Sequence, residues 1–351
     1  MLLTLAQVEH TLNTCDEPYT VMPLKGGITI LILQRGGRIF AFDSNGDSLY
    51  SVNTTLANPD DFSGFVRSKQ WNLGGERIWI APEIQYIIHD RFDFWNSHHL
   101  PPAIDPGNYQ LTGNEDKIAL SQKISLEAFN IANGTKDLSI KREIGAIDNP
   151  LRFLSQCDDL MSGLRYAGYQ QTVHLKEENN TPMHSEAWNL VQLIPGGTLF
   201  IPAMSPVETA IYFGQADESA LSTKDGCIRI PITGNQQYKV GYKAAMMTGR
   251  MAYLKHTDDE NGYLLIRSFD NNPAAVYTEE PPEEPDNRGF SVHVYNDDGK
   301  FGGFGEMECN GQAIGKDTGR KSSADSFHMW VFTGQNSKLK RIAEILLGVS
   351  A

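Results

Sequence analysis

The chain has 351 residues, 40% of them hydrophobic, so it can bury a large core and is neither disordered nor collagen-like. Its net charge of −13 and the lack of a basic patch argue against a nucleic-acid partner. The opening residues lack the basic segment of a signal peptide, and no run reaches the ~18 apolar residues of a membrane-spanning helix. We therefore expect a cytoplasmic protein that binds neither nucleic acid nor membranes.

In chain order, the sequence predicts a helix at each end and β-strands between them. The first helix is expected within residues 1–20. Residues 117–126 and 138–140 alternate apolar and polar side chains on either side of a glycine turn, which is the pattern of a β-hairpin. The same pattern predicts further strands at 27–33, 172–175, 238–243, 262–269 and 290–295. An amphipathic helix closes the chain within 336–351.

These elements predict an all-β fold, a large antiparallel β-sandwich with short terminal helices. No linker or fixed repeat divides the chain, so residues 1–351 are expected to form a single domain. Residues 278–286 are acidic and rich in proline, and they cannot lie in the middle of a sheet. We predict a solvated loop there, with a lid over a site or a calcium loop as the open alternatives.

Several familiar reaction motifs are absent from the sequence. GxGxxG, GxSxG and HExxH do not occur, and residues 315–322 resemble a phosphate loop but carry Arg320 where a glycine is needed. The four cysteines are too far apart in the sequence to indicate a zinc site or a disulfide framework. We expect no cofactor and no metal.

Residues 71–83 combine charged and aromatic side chains in one predicted strand. A glycine pair precedes Glu76, Arg77 and Trp79, and Glu83 follows. An arginine fork offers paired hydrogen bonds to sugar hydroxyls, and an indole plane suits the C–H face of a sugar. These four residues are candidate substrate contacts. The alternative is an ion pair on the sheet with Trp79 in the core.

In residues 180–197, His184 follows a proline turn and enters a strand with Glu186 and Trp188. By β alternation the three side chains share one face. A histidine that titrates near neutrality can donate a proton, so His184 is a candidate acid, and Glu186 and Trp188 are candidate substrate contacts. A hydrogen-bonded structural histidine is the alternative.

Residues 301–311 place Glu306 and Glu308 on one face of a predicted strand, with Met307 and Cys309 on the other. Two carboxylates on a concave face repel each other, which raises the pKa of one of them toward that of a general base. Both are candidate catalytic residues. On an outer face they would be solvated charges only.

The three segments together resemble the galactose mutarotase-like superfamily, which includes the aldose 1-epimerases. The matching stretches are GGERIWIAPE (74–83), MHSEAWNL (183–190) and GFGEMECNG (303–311). The resemblance implies a supersandwich that binds a sugar or sugar derivative in a concave cleft. It further implies that Glu308, or Glu306, takes the proton from the anomeric hydroxyl while His184 protonates the ring oxygen and Arg77 holds a sugar oxygen. The protein would then be a cofactor-independent epimerase.

Two departures from the family pattern keep other functions open. For the family's second histidine the chain offers His89, or the pair His98 and His99, and no aspartate clearly matches the one that binds substrate. One alternative is a non-catalytic carbohydrate-binding protein that stacks sugars on its tryptophans. Another is a glycan lyase or hydrolase that uses Glu306 and Glu308 as its acid and base.

Overall fold

Two nine-stranded antiparallel sheets form the framework of the structure, a computed structural model that describes residues 2–114 and 117–350. The strands are β1 (Tyr19–Pro23), β2 (Thr29–Leu33), β3 (Arg38–Phe42), β4 (Glu76–Ala81), β5 (Gln110–Gly113), β6 (Lys117–Ala128), β7 (Gly134–Ala146), β8 (Arg165–Glu177), β9 (Glu186–Leu193), β10 (Gly197–Pro202), β11 (Thr209–Gly214), β12 (Cys227–Ile232), β13 (Tyr238–Lys243), β14 (Arg250–His256), β15 (Asn261–Phe269), β16 (Phe290–Asn296), β17 (Gly305–Asn310) and β18 (Ser322–Gln335). The helices are α1 (Leu5–Thr14), α2 (Pro59–Arg67), α3 (Glu83–Tyr86), α4 (Phe94–Ser97), α5 (Cys157–Met161), α6 (Glu218–Leu221) and α7 (Asn336–Leu347). The predicted all-β sandwich with short terminal helices is confirmed.

The strand order brings together parts of the chain that are far apart in sequence. The first sheet has the order β1-β2-β3-β4-β9-β17-β16-β13-β11, and the second has the order β12-β10-β14-β15-β18-β8-β7-β6-β5. Because β9 lies between β4 and β17, the three candidate segments of the sequence become neighbours in one sheet.

The faces of the strands differ according to what covers them. In β6, Ile118, Leu120 and Ile124 are buried in the core between the sheets, while Lys117 and Lys123 are exposed on the other face. This is the ordinary pattern of an antiparallel sheet with one face in water. In β9, by contrast, every residue is buried, because both of its faces are covered.

The helices cover the outer parts of the sandwich. Leu339, Ile342 and Leu346 of α7 pack in an apolar cluster with residues of β14, β15 and β18, as expected for an amphipathic helix. Helix α2 was not predicted, although Asn58 caps it and Pro59 begins it, and both are start signals. No helix within the described ranges 2–114 and 117–350 is long and apolar enough to cross a membrane.

Glu76, expected at the substrate, lies between the two sheets. Its fully buried carboxylate accepts hydrogen bonds from Gln171 Nε2 (2.8 Å), Asn189 Nδ2 (2.7 Å) and the Tyr169 hydroxyl. Arg267 Nη2 lies 2.8 Å from Glu76 Oε1. The physical reason is β alternation, which turns Glu76 inward and the arginine that follows it outward.

Replacing Glu76 with alanine is expected to lower the free energy of unfolding by about 3–5 kcal/mol, because Arg267 would stay buried without its counter-charge. Urea unfolding followed by circular dichroism measures this loss. Glu344→Ala removes a surface partner of Arg341 and is the control, with an expected cost below about 1 kcal/mol. Equal losses in the two variants would contradict the role given to Glu76.

Candidate functional site

A cleft opens on the face of the first sheet that is turned away from the core, and its empty space, including the open solvent at its mouth, is about 520 Å³. Strands β4, β9, β17, β16 and β13, which are consecutive in the sheet, supply its floor. The three candidate segments meet here, since Arg77, Trp79, Trp188, Glu306 and Glu308 all line the cleft.

The register of the strands explains this convergence. Leu190 of β9 is paired with Arg77 of β4 on one side and with Glu308 of β17 on the other, and Trp79 is paired with Trp188. Directly paired residues on neighbouring strands point to the same face of a sheet. The alternation within each segment therefore places the arginine, the indoles and the carboxylate on one surface.

Arg77 and Glu306 form a buried ion pair at the floor of the cleft. Arg77 Nη1 donates to Glu306 Oε1 over 2.7 Å, and Gln192 Nε2 donates to the same oxygen over 2.9 Å. The guanidinium carbon of Arg77 lies 4.2 Å from the ring centroid of Trp79, which is cation–π geometry. Arg77 Nε is buried and has no hydrogen-bond partner within the described part of the chain, so the arginine retains an unused donor.

A second buried ion pair holds the indole of Trp79 in place. Trp79 Nε1 donates to Asp105 Oδ2 over 3.0 Å, and Asp105 is paired with Arg38. Arg38 also donates to the carbonyl oxygens of Gly74 and Trp71, each over 2.8 Å. The rings of Trp71 and Trp79 then meet edge to face, with their centroids 5.1 Å apart. Contacts within the protein therefore hold the aromatic wall of the cleft in place.

Among the described carboxylates that line the cleft, Glu308 has the most distant cationic partner. Trp188 Nε1 donates to Glu308 Oε2 over 3.0 Å, and Lys239 Nζ lies 3.7 Å from the same oxygen. Burial raises the pKa of Glu308 to about 7, although Lys239 opposes the shift. A pKa in this range suits a general base that works near neutral pH.

Lys239 and Glu83 form the other charged pair of the cleft. Lys239 Nζ donates to Glu83 Oε2 over 2.7 Å and lies 4.2 Å from the ring centroid of Trp188. His98 Nε2 is 4.0 Å from Glu83 Oε1. Burial lowers the pKa of His98, which favours its neutral form.

The acidic segment 278–286 is not the solvated loop that its composition predicted. Residues 278–282 are buried, and only 283–286 are exposed. Glu280 is held by Arg91 (2.8 Å) and Arg288 (2.7 Å), while Glu279 Oε2 accepts the backbone N–H of Glu83 over 2.7 Å. The expectation was wrong for residues 278–282, because two arginines neutralise Glu280 and the backbone of Glu83 binds Glu279. This half of the segment supports the wall that carries Glu83.

Three other predicted site residues lie outside the cleft lining. His184 precedes β9, and its carbonyl oxygen accepts hydrogen bonds from Tyr86 and Gln85. Glu186 is buried, where the Thr278 hydroxyl (2.6 Å) and the Asn310 amide (2.8 Å) donate to its carboxylate. His89 is exposed and stacks on a phenylalanine ring. Among the described residues that line the cleft, the one histidine is His98.

The sequence interpretation missed Lys239, Tyr295 and the phenylalanines of the cleft mouth, whereas Trp95 is one of the tryptophans that the sugar-binding alternative considered for stacking. Trp95 packs edge to face against Phe94 and Phe213, with centroids 5.1 and 4.8 Å apart, and all three line the cleft. Lys239 and Tyr295 lie in strands that were predicted, but alternation does not say which face opens onto a cleft. In the described part of the chain no three His, Cys, Asp or Glu side chains are grouped to hold a metal ion.

The chain matches one family model, and its architecture is similar to that of several solved structures. The model of a family of unknown function (DUF6786) matches residues 30–351. A solved structure from Escherichia coli K12, provisionally assigned as an aldose 1-epimerase, is 10% identical, with a TM-score of 0.53 over 90% of this chain and 99% of that chain. A galactose mutarotase-like protein from Lactobacillus casei ATCC 334 is 8% identical, with a TM-score of 0.46 over 91% of this chain and 100% of that chain.

No curated protein matches the chain. Similarity to solved structures at these identities establishes the fold and leaves the activity to be argued from the site itself. The fold that the resemblance to the galactose mutarotase-like superfamily predicted is confirmed. The chain belongs to the DUF6786 family and has the galactose mutarotase-like fold.

Proposed function

We propose that this protein binds an aldose or an aldose derivative in the cleft and interconverts its anomers, with Glu308 as the general base. The observation that carries the proposal is the position of the Glu308 carboxyl group. It is buried on the floor of the cleft, its pKa is raised to about 7, and it lies beside the arginine and indoles that suit a sugar.

In the proposed reaction Glu308 removes the proton of the anomeric hydroxyl. The bond between C1 and the ring oxygen then breaks, the carbonyl end rotates, and closure from the other side gives the second anomer. Glu306 is less suited to this role, because its Oε1 already accepts hydrogen bonds from Arg77 and Gln192. The Glu306–Arg77 pair instead presents a fixed polar surface to sugar hydroxyls.

A non-catalytic sugar-binding protein is the second candidate. One observation favours it, namely that His184, the expected acid, does not line the cleft. Binding would then depend on the indoles and on Arg77, and it would survive the loss of Glu308 as a base. The two candidates differ in whether the bound sugar changes its anomeric form.

Glu308→Gln is expected to lower the rate of anomeric exchange by about 10²-fold or more, because it removes the general base without changing the size of the side chain. Magnetisation-transfer NMR on a panel of aldoses and hexose 6-phosphates measures the rate. Asp325→Asn is the matched control, since Asp325 is a buried carboxylate outside the cleft. Exchange that persists in Glu308→Gln would exclude the proposed base. Sugar binding without exchange in the wild type would favour the binding protein.

The wild-type rate is expected to increase as the pH rises through about 7. Glu308 accepts a proton only when it is ionised, and its raised pKa keeps it protonated in acid. Exchange rates between pH 5 and 9, after subtraction of the uncatalysed reaction, measure this dependence. An enzymatic rate that falls over the same interval would contradict the role of Glu308.

Trp95→Ala is expected to weaken sugar binding by about 0.5–1.5 kcal/mol, or roughly 2- to 12-fold in Kd. The side chain of Trp95 is 49% exposed at the cleft mouth and offers an open aromatic face. Isothermal titration calorimetry gives the Kd. Phe153→Ala removes an exposed ring outside the cleft and should leave the Kd unchanged. A Kd unaffected by Trp95→Ala would remove this residue from the binding surface.

A further inference from the structure

The proposed reaction requires an acid beside Glu308, and we infer that Lys239 is that acid. It would donate a proton to the ring oxygen as the sugar ring opens. This inference rests on the proposed function, because it concerns the same cleft and the same reaction. It replaces the histidine that the sequence led us to expect in this role.

Lys239 reaches the reaction site from β13, which is not paired with β9 or β17 in the sheet. Its strand β13 pairs with β16, where Lys239 is opposite Tyr295. The long side chain extends over the floor of the cleft, so that Nζ lies over the ring of Trp188, whose Nε1 donates to Glu308. The ammonium group and the carboxylate are thus held against one indole.

The distances show that Lys239 has an N–H group that neither carboxylate uses. One N–H of Lys239 is donated to Glu83. The separation of 3.7 Å between Lys239 Nζ and Glu308 Oε2 is an ion pair that is too long for a direct hydrogen bond. A lysine ammonium carries three N–H groups, so a donor remains for a sugar oxygen.

The chemistry needs a base and an acid that face the same carbon atom. The anomeric oxygen and the ring oxygen are both bonded to C1, so the groups that serve them must lie within a few ångströms of each other. Glu308 and Lys239 meet this requirement. His98 does so less well, because its Nε2 faces Glu83 and its burial favours the neutral form.

The proton transfers balance over one full exchange. As Glu308 takes the proton from the anomeric hydroxyl, the C1–O5 bond breaks with its electron pair on O5, and O5 takes a proton from Lys239. The open-chain aldehyde then rotates. On closure O5 attacks C1 and returns its proton to Lys239, while Glu308 returns a proton to the new anomeric oxygen. Both side chains end in their starting states.

The surroundings keep Lys239 charged until the ring opens. Burial lowers the pKa of Lys239, but the negative charges of Glu308 and Glu83 outweigh this effect and hold the pKa above its usual value. The alkoxide left on O5 is a stronger base than a lysine amine and therefore takes the proton. A thiolate is a far weaker base, with a thiol pKa of about 8.5, and it leaves without an acid.

This difference gives a direct test with D-glucose, D-galactose and their 5-thio analogues, in which sulfur replaces the ring oxygen. Lys239→Met is expected to lower exchange of the oxygen sugars about 10²-fold or more but that of the 5-thio sugars less than about 10-fold. Glu308→Gln should lower both equally. Lys243→Met is the matched control, because Lys243 lies on the same strand but is bonded to Asn287 outside the cleft.

Lys239→Arg separates proton donation from charge. The guanidinium keeps a positive charge beside Glu83 and so protects the fold if Lys239→Met is unstable, but arginine does not release its proton. Lys239→Arg is therefore expected to lose exchange of the oxygen sugars as well. Full activity in this variant would overturn the inference.

Other outcomes also decide the question. Equal losses for both ring types in Lys239→Met would assign the lysine to positioning and overturn its role as the acid. His98 would be the acid if His98→Gln loses exchange of the oxygen sugars alone while Lys239→Met keeps it. If the wild type accelerates exchange of none of the four sugars, the proposed function fails and the inference fails with it. If the wild type and Lys239→Met are equally active on the oxygen sugars, only the inference fails.

Discussion

The pairing of β9 with β4 on one side and with β17 on the other is the constraint on which the rest of the molecule depends. It brings together three segments that are separated by roughly a hundred residues each. Once the register is set, β alternation sends one set of side chains into the core and the other set into the cleft. A shift of one residue would exchange Arg77 with Glu76 and destroy both the core cluster and the site.

Buried charge then determines what the cleft can do. Arg77 is matched by Glu306, and Lys239 is matched by Glu83, both at direct hydrogen-bond distance. Glu308 has an indole N–H and a more distant ammonium group, so its ionised form is the less stabilised one. Desolvation of a charge is costly unless it is closely paired, which is why burial raises the pKa of Glu308.

The walls of the cleft come from segments that lie outside the sheet. The buried part of 278–286 is fixed by two arginines and supports the backbone at Glu83, while residues 94–98 add aromatic rings at the mouth. A rigid sheet thus carries the charged floor, and loops supply the surfaces that a ligand would meet first. Changes in the loops can therefore adapt the same sheet framework to different ligands.

The amino-acid sequence predicts the class of fold, many of the strands, and which side chains share a strand face, such as Glu306 and Glu308, because alternation is a local property of the chain. Tertiary structure alone decided the rest. It put the Glu76 face of β4 against the second sheet and the Arg77 face in the cleft, left His184 outside the cleft lining, and brought Lys239 across from β13. The physical reason is that period-two patterning gives the side of a strand but neither its neighbours in the sheet nor the segments that cover it.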